Sequence, residues 1–208
     1  MLHIENELHS KGYKYIACID EVGRGCLFGD VVACSIIMPE GITIEGVKDS
    51  KKLSEKKRES LYQLILDSCI GYGIGRVDAS IIDQINIKEA TRLAMKQSIE
   101  NLHDKVGIKL LPDFLLIDAE KVYLDFPQEG IIKGDDRAHG IACASIVAKV
   151  YRDKLCLEWG KQFPGYKIEK HKGYGTKAHY EAIEEFGVTR LHRNTFLKKY
   201  FGGKEYGK

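Results

Sequence analysis

Asp20 and Glu21 stand side by side where the apolar run Tyr15-Ile16-Ala17-Cys18-Ile19 stops, and Gly23-Arg24-Gly25 follows after one more residue. A strand end fixes carboxylates in space. Flanking glycines let backbone groups come close to a ligand whose phosphate an arginine can hold. Taken alone, Asp20-Glu21 also suits an ordinary acidic turn. Two more acids follow apolar runs: Asp118 closes Phe114-Leu115-Leu116-Ile117, and Asp135 lies in Lys133-Gly134-Asp135-Asp136-Arg137 just after Ile131-Ile132. Four clustered acids would repel one another unless divalent cations sat among them. An oxygen-only set without neighbouring Cys or His suits hard Mg²⁺ or Mn²⁺ better than zinc. Two such ions would activate a water and stabilise the leaving oxygen in phosphodiester cleavage.

The elements that must position these acids follow from the apolar pattern. A second β-rich run, Val31-Val32-Ala33-Cys34-Ser35-Ile36-Ile37-Met38, ends at Pro39, and Tyr72-Gly73-Ile74-Gly75-Arg76-Val77 alternates with period two, so a three-stranded antiparallel meander is expected. Between them Ser54 caps a helix that turns Leu61, Leu64, Ile65 and Cys69 inward and stops at Gly71. A longer helix is expected over residues 87 to 103, with Ile87, Ala90, Ala94 and Leu102 inward. It leads into the buried strand that ends at Asp118, and the crossover lays that strand parallel to a neighbour. Asp118 can then approach Asp20. A short strand at Ile131-Ile132 precedes a helix over residues 139 to 159, whose Ala142, Ala144, Ser145 and Ala148 are small enough for close packing. Asp135 and Asp136 stand at its start, where capping accounts for either one alone. Beyond Pro164-Gly165, Thr176 caps a helix over residues 177 to 186 that stops at Gly187.

The 208 residues, 44% hydrophobic and 30% charged, suffice for one sizeable core and a small appendage. Residues 1–164 are expected to form the catalytic domain and 165–208 a C-terminal helical appendage that contributes to substrate binding. No signal peptide or transmembrane run stands out, so a cytoplasmic location is expected. The six cysteines form no Cys-x-x-Cys pair and read as buried, reduced thiols. Net charge is only +2, but basic residues gather at Lys48–Arg58, at 167–177 and at Arg190, His192, Arg193, Lys198 and Lys199. Each cluster alone suits a solvated face; three around one acidic site suit a nucleic acid.

Six segments together, in order, resemble the type 2 ribonuclease H family, specifically ribonuclease HII, over about residues 15 to 196. They are Asp20-Glu21-Val22-Gly23-Arg24-Gly25, Asp49-Ser50-Lys51-Lys52-Leu53-Ser54, Leu116-Ile117-Asp118, Lys133-Gly134-Asp135, Ala144-Ser145 through Arg152-Asp153, and His171-Lys172-Gly173-Tyr174-Gly175-Thr176. The resemblance implies an α/β ribonuclease H-like fold with a mixed five-stranded sheet. It implies an endoribonuclease that hydrolyses the RNA strand of RNA–DNA hybrids and cuts 5′ to single ribonucleotides in duplex DNA, leaving 3′-hydroxyl and 5′-phosphate ends. Asp20, Glu21, Asp118 and Asp135 would be the metal-binding catalytic carboxylates, with Mg²⁺ or Mn²⁺, and Asp136 does not take the matching position. The backbone of Gly23-Arg24-Gly25 would read the 2′-hydroxyl, and Tyr174 would pack on the neighbouring deoxyribose. Arg24 and Lys51 would hold phosphates, with Lys52, Lys172 and Lys177 as lesser candidates. A monomer is expected, with no membrane partner; the sequence does not identify a replication partner for the tail beyond Phe196. Three positions depart from the family's habit: Ala119 for glycine, Cys26 for proline, and Asp30, which either adds a charge near the site or points to solvent.

Overall fold

A computed structural model describes residues 1–47, 50, 53–198, 200 and 202. The three expected β runs form β1 (Ile16–Val22), β2 (Val31–Ile37) and β3 (Gly71–Val77), paired as an antiparallel meander. β5 (Phe114–Asp118) lies parallel to β1 on its other side, and β6 (Gln128–Ile131) lies parallel to β5. β4 (His103–Asp104) extends the far edge, so the mixed sheet has six strands in the order β4-β3-β2-β1-β5-β6.

Helices cover both faces of this sheet. On one side stand α1 (His3–Ser10), α2 (Glu55–Ser68) and the 24-residue α5 (His139–Gln162); on the other stands α3 (Ala79–Glu100). Side chains alternate between the two cores, as strand geometry requires. Cys18 of β1 and Leu116 of β5 face α5, whereas Ala17, Ile19, Leu115 and Ile117 face α3. By that parity Asp20 and Asp118 point to the α5 face, from the ends of adjacent parallel strands. The last registered pair between those strands, Ile19 and Ile117, immediately precedes them.

Several sequence expectations are corrected by local physics. The helix expected over 87 to 103 is the second half of α3: Asn86 takes φ +69, and its side-chain oxygen accepts the amides of Lys88 (2.9 Å) and Glu89 (3.2 Å), capping a new start. It ends at Glu100, because His103 and Asp104 pair with Tyr72 and Gly71. α2 ends at Ser68 rather than at Gly71, which belongs to β3. Leu64 is 49% exposed, since the buried stripe of α2 runs through Leu61 and Ile65 instead. α3 rests directly on β3: a Cβ at Gly73 or Gly75 would come within 2.1 Å of the Ser98 carbonyl oxygen or 1.9 Å of the Ala94 carbonyl oxygen.

Asp135 and Asp136 lie in a separate turn, α4 (Gly134–Arg137), which extended Ala138 divides from α5. At the head of α5 the Gly140 amide donates instead to Glu5 of α1, at 3.0 Å. After a 3-10 turn at Pro164–Tyr166 come α6 (Ile168–His171), α7 (Lys177–Phe186) and α8 (Asn194–Leu197). Thr176 caps α7 and Gly187, at φ +80, ends it. Ile168, Ala182, Ile183 and Leu197 share a third core with Leu27, Phe28, Leu155 and Trp159. That core sets the segment before α7 against the loop that leaves β1. All six cysteines are buried and free, and among the described residues no helix is long and apolar enough to cross a membrane.

Candidate active site

The acidic centre begins with Asp20, which is only 5% exposed. Burial, and then the charges of Glu21 and Asp118, push its carboxyl well above the usual carboxylate range. Two hydrogen bonds oppose that shift: the Glu21 amide donates to Asp20 Oδ1 at 2.7 Å, and Ser145 of α5 bonds the same carboxylate. Ser145 in turn lies 2.9 Å from the Ser50 hydroxyl. Asp118 Oδ1 accepts the Gly134 amide at 2.6 Å, which ties the end of β5 to the turn that carries half-buried Asp135. A side chain at 134 would press on that bond, because its Cβ would sit 3.1 Å from Asp118 Oδ1.

The loop after β1 has little regular structure, so its carbonyls need other donors. Two fully buried arginines supply them. Arg152 of α5 donates to the carbonyls of Asp30 (2.9 Å), Phe28 (3.0 Å) and Lys172 (2.8 Å). Arg193, just before α8, donates to Gly29 through Nε (2.9 Å) and Nη2 (2.8 Å) and to Arg24 through Nη1 (2.9 Å). The Leu27 amide reaches the Gly173 carbonyl at 2.8 Å, and the Arg193 amide reaches the Leu27 carbonyl at 2.8 Å. These bonds lock the Gly23-Arg24-Gly25 turn to the Lys172-Gly173-Tyr174 turn, about 150 residues away in the chain.

Between the two turns opens a cleft of about 220 Å³ lined by Glu21, Val22, Gly23, Arg24, Gly25, Ser50, Ser145, Lys149 and Tyr174. The Tyr174 side is open, with the residue 43% exposed. Arg24 is ion-paired with Glu21 at 3.2 Å and with Glu120 at 4.0 Å, and Glu120 also binds Arg92 at 3.1 Å. Lys149 pairs with Asp153 at 2.7 Å, and Asp153 lies 3.8 Å from Arg58. Arg24 and Lys149 are thus the cations that line the cleft among the described residues, each held by a carboxylate.

Of the residues singled out by sequence, Glu21, Gly23, Arg24, Gly25 and Tyr174 share this cleft, and Asp20 joins it through Ser145. Asp118 acts on Asp20 through its charge, and Asp135 adjoins Asp118 through Gly134. Lys51 and Lys52 lie outside the described residues. Lys172 is half-buried and 3.9 Å from Glu55, while exposed Lys177 lies 3.6 Å from Glu181. Asp30 neither faces solvent nor adds an open charge, being 4% exposed and paired with Arg76 at 2.6 Å. Sequence reasoning assigned no role to Ser50, Lys149 or Arg152 and read Ser145 only as a small packing residue, although all four lie in the motif segments. It placed Arg193 and His192 among tail charges, whereas both are buried.

Among the described residues no three histidine, cysteine, aspartate or glutamate groups already converge as an ion site. The chemistry of the set still fits a hard cation: the donors are carboxylate oxygens, and the charges of Glu21 and Asp118 act against ionisation of buried Asp20. A divalent ion among them would reverse that repulsion.

The family model described as ribonuclease HII matches residues 17–202. The chain is 56% identical to a ribonuclease HII of Alkaliphilus metalliredigens over 198 residues, covering 95% of this chain and 97% of that protein. It is 48% identical to the ribonuclease HII of Bacillus subtilis over 94% of this chain and 74% of that protein. In fold it is similar to the ribonuclease H2 of Pyrococcus horikoshii, with a TM-score of 0.71 at 22% identity, covering 88% of this chain and 95% of that one. It also resembles Bst-RNase HIII solved in complex with Mn²⁺, with a TM-score of 0.64 at 16% identity over 94% of this chain and 72% of that one.

Proposed function

Because the chain belongs to the ribonuclease HII family, we propose that the cleft between Gly25 and Tyr174 is where it receives and cuts its substrate. The chain is an endoribonuclease that hydrolyses the RNA strand of RNA–DNA hybrids, and its family is metal-dependent. The finer reading is that it also cuts 5′ to a single ribonucleotide within duplex DNA, leaving 3′-hydroxyl and 5′-phosphate ends.

One observation carries this reading: a backbone turn left open at Gly25 and a half-exposed aromatic ring line the same cleft as Glu21. Gly25 has no positive φ, and a Cβ there would meet nothing within 4 Å. The fold itself does not demand glycine at 25, so the bare backbone serves an incoming group. The 2′-hydroxyl both donates and accepts, which suits recognition by main-chain groups of Gly23-Arg24-Gly25. The Tyr174 ring offers an apolar face to the next sugar, which lacks that hydroxyl. Together the two turns read a junction from ribose to deoxyribose.

Arg24 and Lys51 hold backbone phosphates, and the helical segment over 165–208 contributes to substrate binding through Tyr174. Asp20, Glu21, Asp118 and Asp135 would hold two Mg²⁺ or Mn²⁺ ions, which when bound supply activation of the attacking water and stabilisation of the leaving 3′-oxygen. Ser145 keeps the Asp20 carboxylate oriented, and the Gly134 amide does the same for Asp118. Glu21 and Glu120 hold Arg24 at the cleft mouth, so the guanidinium meets a phosphate without having to be ordered first. The reading includes a monomer in the cytoplasm.

The test is nicking of an end-labelled DNA duplex with one ribonucleotide beside its all-DNA twin, in Mg²⁺, in chelator and with Asp118→Asn. The expected result is a metal-dependent cut 5′ to the ribonucleotide, absent from the all-DNA duplex and lost in the variant. Equal cutting of both duplexes would refute the junction role of the two turns. No cutting of the ribonucleotide duplex, with the long hybrid still cut, would refute the finer reading alone.

A further inference from the structure

We propose that His179 is the positioning residue for Tyr174, its neutral ring being fixed in one tautomer by His192. The inference rests on the reading of Tyr174 as a sugar contact. His179 and His192 are 0% and 1% exposed and lie behind the cleft, in the core shared by α7 and the loop after β1. The hydrogen bonds assign every ring proton. The Thr189 amide, which can only donate, reaches His192 Nδ1 at 2.8 Å, so Nδ1 is bare and a neutral His192 carries its proton on Nε2. That Nε2 lies 3.3 Å from His179 Nε2. The Tyr174 carbonyl, which can only accept, lies 2.9 Å from His179 Nδ1, so His179 is protonated there and bare at Nε2. The chain is self-consistent: Thr189 N–H to His192, His192 Nε2–H to His179, His179 Nδ1–H to the Tyr174 carbonyl.

The same carbonyl also accepts the Thr176 amide at 2.9 Å, which closes the turn that presents the Tyr174 ring to the cleft. A third imidazole braces the assembly: His171 stacks on His179 at 4.4 Å, donates to the Tyr166 carbonyl at 2.8 Å and lies 3.3 Å from the Gly173 amide. Burial keeps both relay histidines neutral, pushing His179 down to about 4 and His192 to about 3, with a neighbouring imidazole adding to each shift. His179 touches no substrate atom in this arrangement. It fixes the main chain from which the Tyr174 ring projects.

The experiment compares His179→Ala, His179→Asn and Tyr174→Ala on the single-ribonucleotide duplex and on a long RNA–DNA hybrid, with each variant's folding checked by its unfolding curve. The asparagine amide can occupy the place of Nδ1–H and keep the bond to the Tyr174 carbonyl. H179A is expected to lower kcat/KM on the junction on the order of tenfold, a displaced contact being costly even when distant from the chemistry. The hybrid should suffer less, and H179N should restore most of the loss. Nitrogen NMR of the wild-type protein, which needs no variant to fold, should find His179 protonated at Nδ1 and bare at Nε2. The opposite tautomer would overturn the proposal, as would a folded H179A with an unchanged ratio of junction to hybrid cleavage. A silent Y174A removes the premise and the proposal with it; a defective Y174A beside a normal H179A overturns the positioning role alone.

Discussion

Gly23 and Gly25 differ by two positions and should respond to alanine in opposite ways. Gly23 has φ +90, and a Cβ there would come within 2.3 Å of Arg152 Nε and 2.8 Å of its Cδ. The left-handed backbone alone costs an L-residue roughly 1–2 kcal/mol. Arg152 cannot yield cheaply, because it is fully buried and bonded to the carbonyls of Phe28, Asp30 and Lys172. Each buried carbonyl that loses its donor adds about 1–3 kcal/mol. With one of these bonds lost, Gly23→Ala should cost roughly 2–5 kcal/mol of stability, the sum of the two contributions. At Gly25 neither strain nor crowding applies, and alanine should leave stability unchanged or raise it by about 0.4–1 kcal/mol through a less flexible unfolded chain.

Activity should separate the two differently. A methyl group at 25 would project into the cleft where a ribose must approach, and a displaced reacting geometry costs on the order of ten- to a hundredfold. Urea unfolding and steady-state cleavage of the single-ribonucleotide duplex measure both effects. A stable and fully active Gly25→Ala would refute the claim that the bare turn receives the sugar. A Gly25→Ala weakened as much as Gly23→Ala would refute the description of that position as open.

Ala119 adopts φ +50 next to Asp118, so Ala119→Gly should relieve strain in part offset by unfolded-state freedom, and raise the melting temperature by the equivalent of up to about 1 kcal/mol. A lower melting temperature would contradict that account. The His179–His192 pair makes stability depend on pH, since both folded values, about 4 and about 3, lie below the unfolded value near 6.5. Their contribution is present above pH 6.5 and is lost as pH falls towards 4. Relative to a His179→Asn/His192→Gln double variant, the wild type should lose about 2–3 kcal/mol per pH unit between pH 6 and 4.5, and parallel stability profiles would refute it.

Asp20, Glu21 and Asp118 were legible because they stand toward the ends of apolar strands, and strand parity with a parallel crossover suffices to turn Asp20 and Asp118 to one face; Asp135 instead lies in the separate turn α4, after the largely polar β6. The antiparallel meander was legible for the same reason. β4 was not: His103 and Asp104 are too few to show a period, and they pair only because Gly71 and Tyr72 lie alongside. In α3 the expected helix began at Ile87, just past the break where Asn86 restarts the helix, and the turns from Ala79 that Asp78 caps were missed. Arg193 and His192 looked like tail charges because sequence displays the cation and not its partners. For Arg193 they are main-chain groups, the Gly29 and Arg24 carbonyls more than 160 residues away, and for His192 they are the Thr189 amide and the His179 ring. A carbonyl acceptor leaves no residue-type signal, so a buried arginine bonded to backbone cannot be told from a solvated one by composition.

The two buried arginines also explain how an acidic centre can stand beside a rigid loop. An irregular segment held by carboxylates would either draw Asp20, Glu21 and Asp118 into structural pairs or add more negative charge to a site where Asp20 already resists ionisation. Arg152 and Arg193 meet the same need with neutral acceptors. Their bonds to the carbonyls of Arg24, Phe28, Gly29, Asp30 and Lys172 leave their positive charges uncancelled by a bonded carboxylate. Burial lowers Arg193 to about 10, which still leaves it charged at neutral pH. The loop is thus fixed by cations bonded to neutral carbonyls, which among the described residues leaves Asp20 and Asp118 bonded to a hydroxyl and to amides rather than to the loop, while Glu21 is paired with Arg24 at 3.2 Å.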